Sequence, residues 1–275
     1  MAYSKTLTIP PRPFLKWAGG KGRLLDQYDA FIPERFDTYY EPFLGGGAVF
    51  FYLLPNRSKL MDINPELVNV YRCVRNQVER LIKVLFEHQQ NHSKEYYYFV
   101  RANPGSSEIE RAARLIYLNR TCFNGLYREN SRGHFNVPMG SYKDPRICNP
   151  ELLRAASATL KWATINVQSF ESVLDDAHGP RDFVYFDPPY HPISATSCFT
   201  SYCRFSFTEA DQIRLRDTFA ELASRKVKVM LSNSDCSLIR ELYRDFNIHT
   251  IYASRAINSN AQRRGKITEL LITSY

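Results

Sequence analysis

The sequence predicts an α/β fold built on a parallel sheet, with a more basic segment inserted in its middle. Three observations point to it. Short apolar runs alternate with helix-period segments at both ends of the chain. A glycine run, Gly45-Gly46-Gly47, stands between a strand-like and a helix-like segment. A wholly apolar run, 183–186, stops abruptly at Asp187-Pro188-Pro189-Tyr190.

Taken in order, residues 38–43 read as a strand running into the glycines, and 48–54 as a helix stopped by Pro55. Residues 60–63 are a second short strand, ending near Asp62. Asn64-Pro65 opens a helix, because proline suits the first helical position and Leu67, Val70, Val74, Val78, Leu81 and Leu85 recur at helical spacing. Residues 109–118 continue the helical pattern. Residues 125–144 keep no period and are rich in Asn, Arg, Gly and Pro, so they read as a loop region or small irregular subdomain. A helix follows at 152–162, and the strand 183–186 is flanked by Asp182 and Asp187. The Ser/Thr-rich stretch 191–207 reads as a long loop. Residues 209–223 are helical, and 227–231 and 267–272 are strands. No internal repeat is present.

Composition removes several classes. A chain of 275 residues suits two domains, or one with a large insertion. Hydrophobic residues make up 44% and charged residues 23%, which argues against wholesale disorder. The longest uncharged apolar stretch, 42–56, is interrupted by three glycines and is too short to span a bilayer. The first residues carry no apolar h-region, so no secretory signal is expected. Cys73, Cys122, Cys148, Cys198, Cys203 and Cys236 form no CxxC pair, which argues against a zinc knuckle and fits free thiols in a reducing cytosol.

The net charge is +8, and it is concentrated. Residues 101–146 hold eight basic side chains against four acids. Residues 250–275 hold Arg255, Arg263, Arg264 and Lys266 against the single acid Glu269. Arginine mixed with aromatics and Asn is the composition of a surface that binds phosphates and reads bases, although a solvated basic face has the same composition.

Two constellations carry chemistry. The first runs strand, Gly45-Gly46-Gly47, helix, strand, Asp62. Glycines let the backbone approach a ligand, and an acid ending the next strand can accept from ribose hydroxyls. Phe50 stands where a dinucleotide binder has its third glycine, so the pattern suits a nucleoside cofactor without a pyrophosphate, such as S-adenosylmethionine. Gly19-Gly20-Lys21 is no P-loop, since Leu15 and Gly22 occupy two required positions.

The second is Asp187-Pro188-Pro189-Tyr190. Two prolines hold the chain extended after a buried strand and present the flanking side chains stiffly. Ligands of open α/β sheets bind at that end of the strands. An exocyclic aromatic amine is a poor nucleophile because its lone pair is delocalised into the ring. Asp187 and the Pro188 carbonyl can accept its two hydrogens while Tyr190 stacks on the base. The competing interpretation is an ordinary turn after a core strand.

The chain resembles the Dam-type DNA adenine-N6 methyltransferases. The resemblance rests on Phe14-Leu15-Lys16-Trp17-Ala18-Gly19-Gly20-Lys21, Glu41-Pro42-Phe43-Leu44-Gly45-Gly46-Gly47, Asp62-Ile63-Asn64, Leu118-Asn119-Arg120, Phe123-Asn124-Gly125-Leu126, Gly133 with Phe135-Asn136-Val137-Pro138, and Asp187-Pro188-Pro189-Tyr190 with Ser194-Ala195-Thr196. These blocks cover nearly the whole chain. The resemblance implies a Rossmann-like S-adenosylmethionine-dependent methyltransferase sheet from 1–63 and 151–275, with a mainly helical and loop DNA-recognition domain, 64–150, inserted in it. It implies methyl transfer to adenine N6 in double-stranded DNA, within GATC, after base flipping. Asp187, Pro188 and Tyr190 are the expected catalytic set. Trp17, Lys21, Glu41, Phe43, Gly45, Asp62 and Asp187 are expected at the cofactor.

For DNA, the resemblance implies that Lys16 meets the first guanine and Phe123 wedges into the stack. Leu126 takes a thymine methyl, Arg128 a guanine and Pro138 a further base. Arg120, Asn124 and Asn136 are also placed on DNA. The chemistry agrees, since arginine reads guanine O6 and N7 and apolar groups read the thymine methyl. Loop 191–207 is expected to close over the flipped adenine. A cytoplasmic, nucleoid-associated protein of bacterial or phage type is implied, with no metal, membrane or obligate protein partner. A cytosine-C5 enzyme is disfavoured because no Pro-Cys nucleophile occurs. Cytosine-N4 or RNA amine transfer, a binding-only DNA protein and a nicotinamide oxidoreductase remain as alternatives.

Overall fold

The computed structural model describes residues 9–192, 207–254 and 266–275. The strands are β1 (Thr38–Glu41), β2 (Ser58–Asp62), β3 (Ala163–Val167), β4 (Asp182–Phe186), β5 (Lys228–Ser234), β6 (Asn247–Ser254) and β7 (Lys266–Thr273). They form one sheet in the order β3-β2-β1-β4-β5-β7-β6. The helices are α1 (Leu25–Tyr28), α2 (Ala48–Leu53), α3 (Pro65–Gln90), α4 (Lys94–Ala102), α5 (Glu108–Thr121), α6 (Pro150–Leu160), α7 (Glu209–Ser224) and α8 (Ser237–Leu242).

The first five strands pair in parallel, with β1 between β2 and β4. The chain builds outward from β1 through β2 to β3, then returns to β4 and builds the other way. The reversal between β1 and β4 is the switch point at which doubly wound sheets bind ligands. The last strand slots antiparallel between β5 and β6. The expected Rossmann-like α/β sheet is present, and the reversed β7 is a feature that periodicity does not reveal.

Alternation assigns each strand residue to a face. Tyr39, Leu60, Phe183, Tyr185, Met230 and Leu271 pack into one core with the long helices α3, α5 and α6. Tyr40, Met61, Val184, Phe186, Leu231 and Ile272 pack into the other, with α7 and α8. Both faces are covered, so the central strands are apolar along most of their length and bury polar residues toward their carboxyl ends, at Glu41 and Ser232-Asn233-Ser234.

The caps explain where the helices begin. The Asn64 side chain accepts from the Glu66 and Leu67 amides, with Pro65 at the first position of α3. Ser107 with Glu110, and Thr208 with Asp211, form reciprocal capping boxes on α5 and α7. Within α3 the helix kinks at Gln77, where φ is −138° and ψ 34°.

Five elements have no counterpart in the sequence pattern: the short helices α1 and α8, the strands β3 and β6, and helix α4. The edge strands β3 and β6 carry Thr, Asn, His and Ser among their apolar residues. Helix α4 contains Tyr96-Tyr97-Tyr98-Phe99, a run as suited to a strand as to a helix. Its Ser93 cap and the burial of Tyr97 and Val100 decide for the helix. Between 125 and 144 only isolated bridges occur, among them Glu129 with Phe135.

Candidate active site and nucleic-acid interface

The carboxyl ends of β1 and β4 lie side by side, and each delivers one motif. After β1, the Leu44 amide donates to the Met61 carbonyl at 2.9 Å and the Gly45 amide to Asp62 Oδ2 at 3.1 Å. The glycine loop is thereby tied to β2. Asp62 Oδ1 accepts the Asn64 amide at 2.9 Å. Each carboxylate oxygen keeps a further acceptor site for a ligand hydroxyl. Burial pushes the Asp62 carboxyl up to about 6, while the amides of Asn64, Gly45 and Ile63 oppose that shift.

Gly45 has φ +47°, and a Cβ there would stand 2.8 Å from Trp17 Cδ1. Trp17 therefore lies directly on the glycine loop, and it also stacks on Tyr127 with centroids 5.5 Å apart. Phe43 is half-buried and stacks on Phe170 at 5.4 Å. Glu41 is buried, and its Oε2 accepts from the Tyr39 hydroxyl at 2.9 Å and the Phe50 amide at 3.2 Å. Its contacts pin β1 to α2. Burial raises the Glu41 carboxyl to about 8, and the Asp187 and Asp62 charges push the same way.

After β4, Asp187 Oδ1 accepts from the Ser232 hydroxyl at 2.9 Å and pairs with Lys21 Nζ at 2.8 Å. The Lys21 side chain is only 4% exposed, whereas Asp187 keeps 22%. Lys21 Nζ also donates to the Gly19 carbonyl at 2.6 Å and lies 4.6 Å from the centroid of the Tyr190 ring. The lysine expected at the cofactor thus meets both Asp187 and Tyr190, the side chains expected to be catalytic. Pro188 is buried. The Tyr190 hydroxyl donates to Glu269 Oε2 at 2.7 Å. The Pro189 carbonyl accepts from Gln212 Nε2 at 3.1 Å, and the His191 amide donates to Asn233 Oδ1 at 3.2 Å.

Ser232, Asn233, Gln212 and Glu269 are absent from the sequence-derived set. One signal for two of them was available. Ser232-Asn233-Ser234 ends an otherwise apolar strand on polar residues that are fully buried or nearly so. Glu269 had only its isolation as the sole acid in 250–275.

The expected DNA residues fall into two groups and one outlier. The Asn119 side chain accepts from the Lys16 amide at 2.8 Å and donates to the carbonyls of Lys16 and Gly125 at 2.6 and 2.9 Å. A Cβ on Gly125, at φ +66°, would stand 2.6 Å from Lys16 Cδ, so the lysine stem lies on that turn. Phe123 is 51% and Leu126 38% exposed on the same turn, with Asn124 between them at φ +54°. Pro138 is exposed, and its carbonyl accepts the Phe123 amide at 2.9 Å.

The second group is a pair. Arg128 Nε donates to Asn136 Oδ1 at 2.7 Å, and the Asn136 amide donates to the Arg128 carbonyl at 3.0 Å. The outlier is Arg120. It is half-buried, its Nη2 donates to the Phe14 carbonyl at 2.6 Å, and burial pulls its guanidinium pKa down. Ser194-Ala195-Thr196, nearly all of the expected closing loop, and Arg255, Arg263 and Arg264 lie outside the described residues.

Among the described residues, no helix is long and apolar enough to cross a membrane, and Cys73, Cys122, Cys148 and Cys236 are free thiols. A family model described as D12 class N6 adenine-specific DNA methyltransferase matches residues 17–257. The type II methyltransferase M1.LlaDCHI of Lactococcus lactis subsp. cremoris is 48% identical over 272 residues, covering 96% of this chain and 95% of that protein. The type II methyltransferase M.MjaIII of Methanocaldococcus jannaschii is 42% identical, covering 96% of this chain and 99% of that one. The DNA adenine methylase of Escherichia coli K12 is 38% identical, covering 94% of each. Methyltransferases of this type use S-adenosylmethionine as methyl donor. With the Asp-Pro-Pro-Tyr motif after β4 beside the carboxyl end of β1, and a match running almost end to end, the chain belongs to the D12 class of N6 adenine-specific DNA methyltransferases.

Proposed function

We propose that this protein methylates the N6 amine of adenine within GATC in duplex DNA, turning the adenine out of the stack to do so. The observation that carries the reading is the ion pair and hydrogen bond that order Asp187 at the switch point, beside the glycine loop. Asp187 Oδ1 takes both of those contacts, and Oδ2 is the oxygen assigned to one amine hydrogen. The Pro188 carbonyl is assigned the other. Neither proline has an N–H to compete. Drawing both hydrogens aside frees the lone pair from the ring, and the positive charge growing on N6 meets a carboxylate. Tyr190 supplies the stacking face.

The residues present fit S-adenosylmethionine, whose sulfonium supplies an electrophilic methyl group. Asp62 retains acceptor sites at the end of β2, the glycine loop admits close backbone approach, and Trp17 and Phe43 offer aromatic faces. Lys21, Glu41, Gly45 and Asp187 complete the assigned set. The reach of N6 to that site requires base flipping, because a paired and stacked adenine cannot bring N6 to the sulfonium.

Recognition is assigned to residues 64–150 together with Lys16. Lys16 takes the first guanine, Leu126 a thymine methyl, Pro138 a further base, and Arg128 the guanine paired with the last cytosine. Phe123 enters the stack, while Asn124 and Asn136 lie along the strand; Arg120, bound to the Phe14 carbonyl, is assigned to holding the protein's own backbone. The exposure of Phe123 and Leu126 on one glycine-dependent turn supports this assignment.

The test uses labelled S-adenosylmethionine and two duplexes that differ only in GATC against GTTC, with the product digested to nucleosides. N6-methyladenine from GATC alone is the expected result. Label in both duplexes would remove the sequence assignment but keep the reaction. Labelled cytosine would overturn the choice of base.

A further inference from the structure

Tyr190 is held from three directions by residues outside the motif. The peptide group before it offers the Pro189 carbonyl, which accepts from Gln212 Nε2 at 3.1 Å. The peptide group after it offers the His191 amide, which donates to Asn233 Oδ1 at 3.2 Å. The tip of its ring donates to Glu269 Oε2 at 2.7 Å. We propose that Gln212, Asn233 and Glu269 are positioning residues that set Tyr190 as a ready-made stacking face before the target base arrives. The proposal rests on the assignment of Tyr190 as the ring that stacks on the base.

The geometry carries this further than a set of incidental bonds. Each peptide group is planar, so fixing the planes on both sides of the Tyr190 α-carbon fixes its φ and ψ. Fixing the hydroxyl then fixes the ring. The two prolines make such help necessary, because residues 188 and 189 have no N–H to bond to a neighbouring strand.

The polarity of the chain of amides is forced. A carbonyl only accepts, so Gln212 must turn Nε2 toward Pro189 and Oε1 away. That Oε1 accepts from Asn233 Nδ2 at 3.0 Å. Asn233 Oδ1 is thereby left for the His191 amide, and it also accepts the Ser234 amide at 2.8 Å. Gln212 is 1% exposed and Asn233 fully buried. Two buried amides carry a desolvation cost that apolar residues of similar size would avoid, and the peptide groups around Tyr190 are what they hold.

The topology delivers the third contact. Asn233 and Ser234 pair with Leu270 and Glu269 across β5 and β7. Because β7 runs antiparallel, its beginning lies beside the carboxyl end of β5, and Glu269 comes within reach of the ring.

The test is a double-variant cycle on the full chain, with kcat, KM for DNA and S-adenosylmethionine affinity measured together. A GATC duplex carrying 2-aminopurine at the target adenine reports flipping and stacking by its fluorescence. Tyr190→Phe keeps the ring and loses the donor, and Glu269→Ala loses the acceptor at a half-exposed site. Each is expected to lower kcat about tenfold and shift the 2-aminopurine signal, with cofactor affinity held within about twofold. The double variant is expected to be no slower than the slower single one, and Glu269→Gln, which keeps an acceptor, to regain most of the rate. Gln212→Glu, which cannot donate to Pro189 when ionised, is expected to reproduce the fluorescence shift.

Multiplying losses in the double variant, or Glu269→Ala with wild-type kcat and fluorescence, would overturn the proposal. Failure of the underlying assignment looks different. Tyr190→Ala would then methylate GATC at the wild-type rate, whatever the Glu269 variants do.

Discussion

Asp187 is the residue to which the proposed chemistry is assigned, and its neighbours specify what its removal costs. Asp187→Asn keeps the shape, loses the charge opposite the growing cation on N6, and loses its pairing with Lys21. Turnover is expected to fall about 100- to 1,000-fold and S-adenosylmethionine titration to weaken, since Asp187 and Lys21 are both assigned to the cofactor, while gel shifts of GATC duplex stay close to wild type. Arg128 carries a prediction about reading. With Nε held by Asn136, its two terminal nitrogens form the fork that fits guanine O6 and N7. Arg128→Ala is expected to lose about 1–3 kcal/mol of discrimination at the last base, measured by comparing kcat/KM on GATC and GATA duplexes. Glu41 carries one about pH. Its carboxyl is raised from 4.5 to about 8, so between those values the folded chain holds a proton that the unfolded chain has lost. Stability from this group is full below that window and declines as pH rises through it. Glu41→Gln has no such proton, so its Tm relative to wild type is expected to rise between pH 5 and pH 8.

At the scale of elements, the glycine loop is tied to β2 and is the proposed joint between sheet and cofactor. Gly45→Ala sets a side chain at φ +47° and a Cβ 2.8 Å from the Trp17 ring. The left-handed conformation costs about 1–2 kcal/mol, and the ring must shift as well. S-adenosylmethionine affinity is expected to fall at least about tenfold by calorimetry, with DNA gel shifts retained. Elements whose signals are local were legible in the sequence. Asn64-Pro65 announced α3, and the unbroken run Phe183-Val184-Tyr185-Phe186 announced β4. Those that depend on neighbours were not. Edge strands β3 and β6 need only one ladder and tolerate polar residues, so their patterns are weak. Helix α4 depends on the burial of Tyr97 and Val100 among α5 and the 137 region, where the Tyr97 hydroxyl donates to the Val137 carbonyl at 2.9 Å.

The whole molecule presents a net charge of +8 to a polyanion. Binding to a duplex without GATC is expected to fall along a straight line in log K against log salt. If six or more phosphates are neutralised, the loss between 50 and 200 mM salt is about a thousandfold or greater. Cofactor affinity is expected to move little over the same range, since its proposed site lies in the sheet crevice, where the charges of Lys21 and Asp187 are already paired. Filter binding and calorimetry across salt separate the two.

The sequence alone determined what short-range chemistry can encode: the alternating α/β order, the glycine loop with its acid at Asp62, the rigid Asp187-Pro188-Pro189-Tyr190 and the arginine-rich middle. The tertiary structure decided which distant residues meet. Lys21 reaches Asp187, Gln212 reaches Pro189, and Glu269 reaches Tyr190, across 166, 23 and 79 positions of chain for the pairs so joined. No local pattern encodes those meetings. They follow from strand order and from the reversal of β7, which are set by how the two faces of the sheet are buried together.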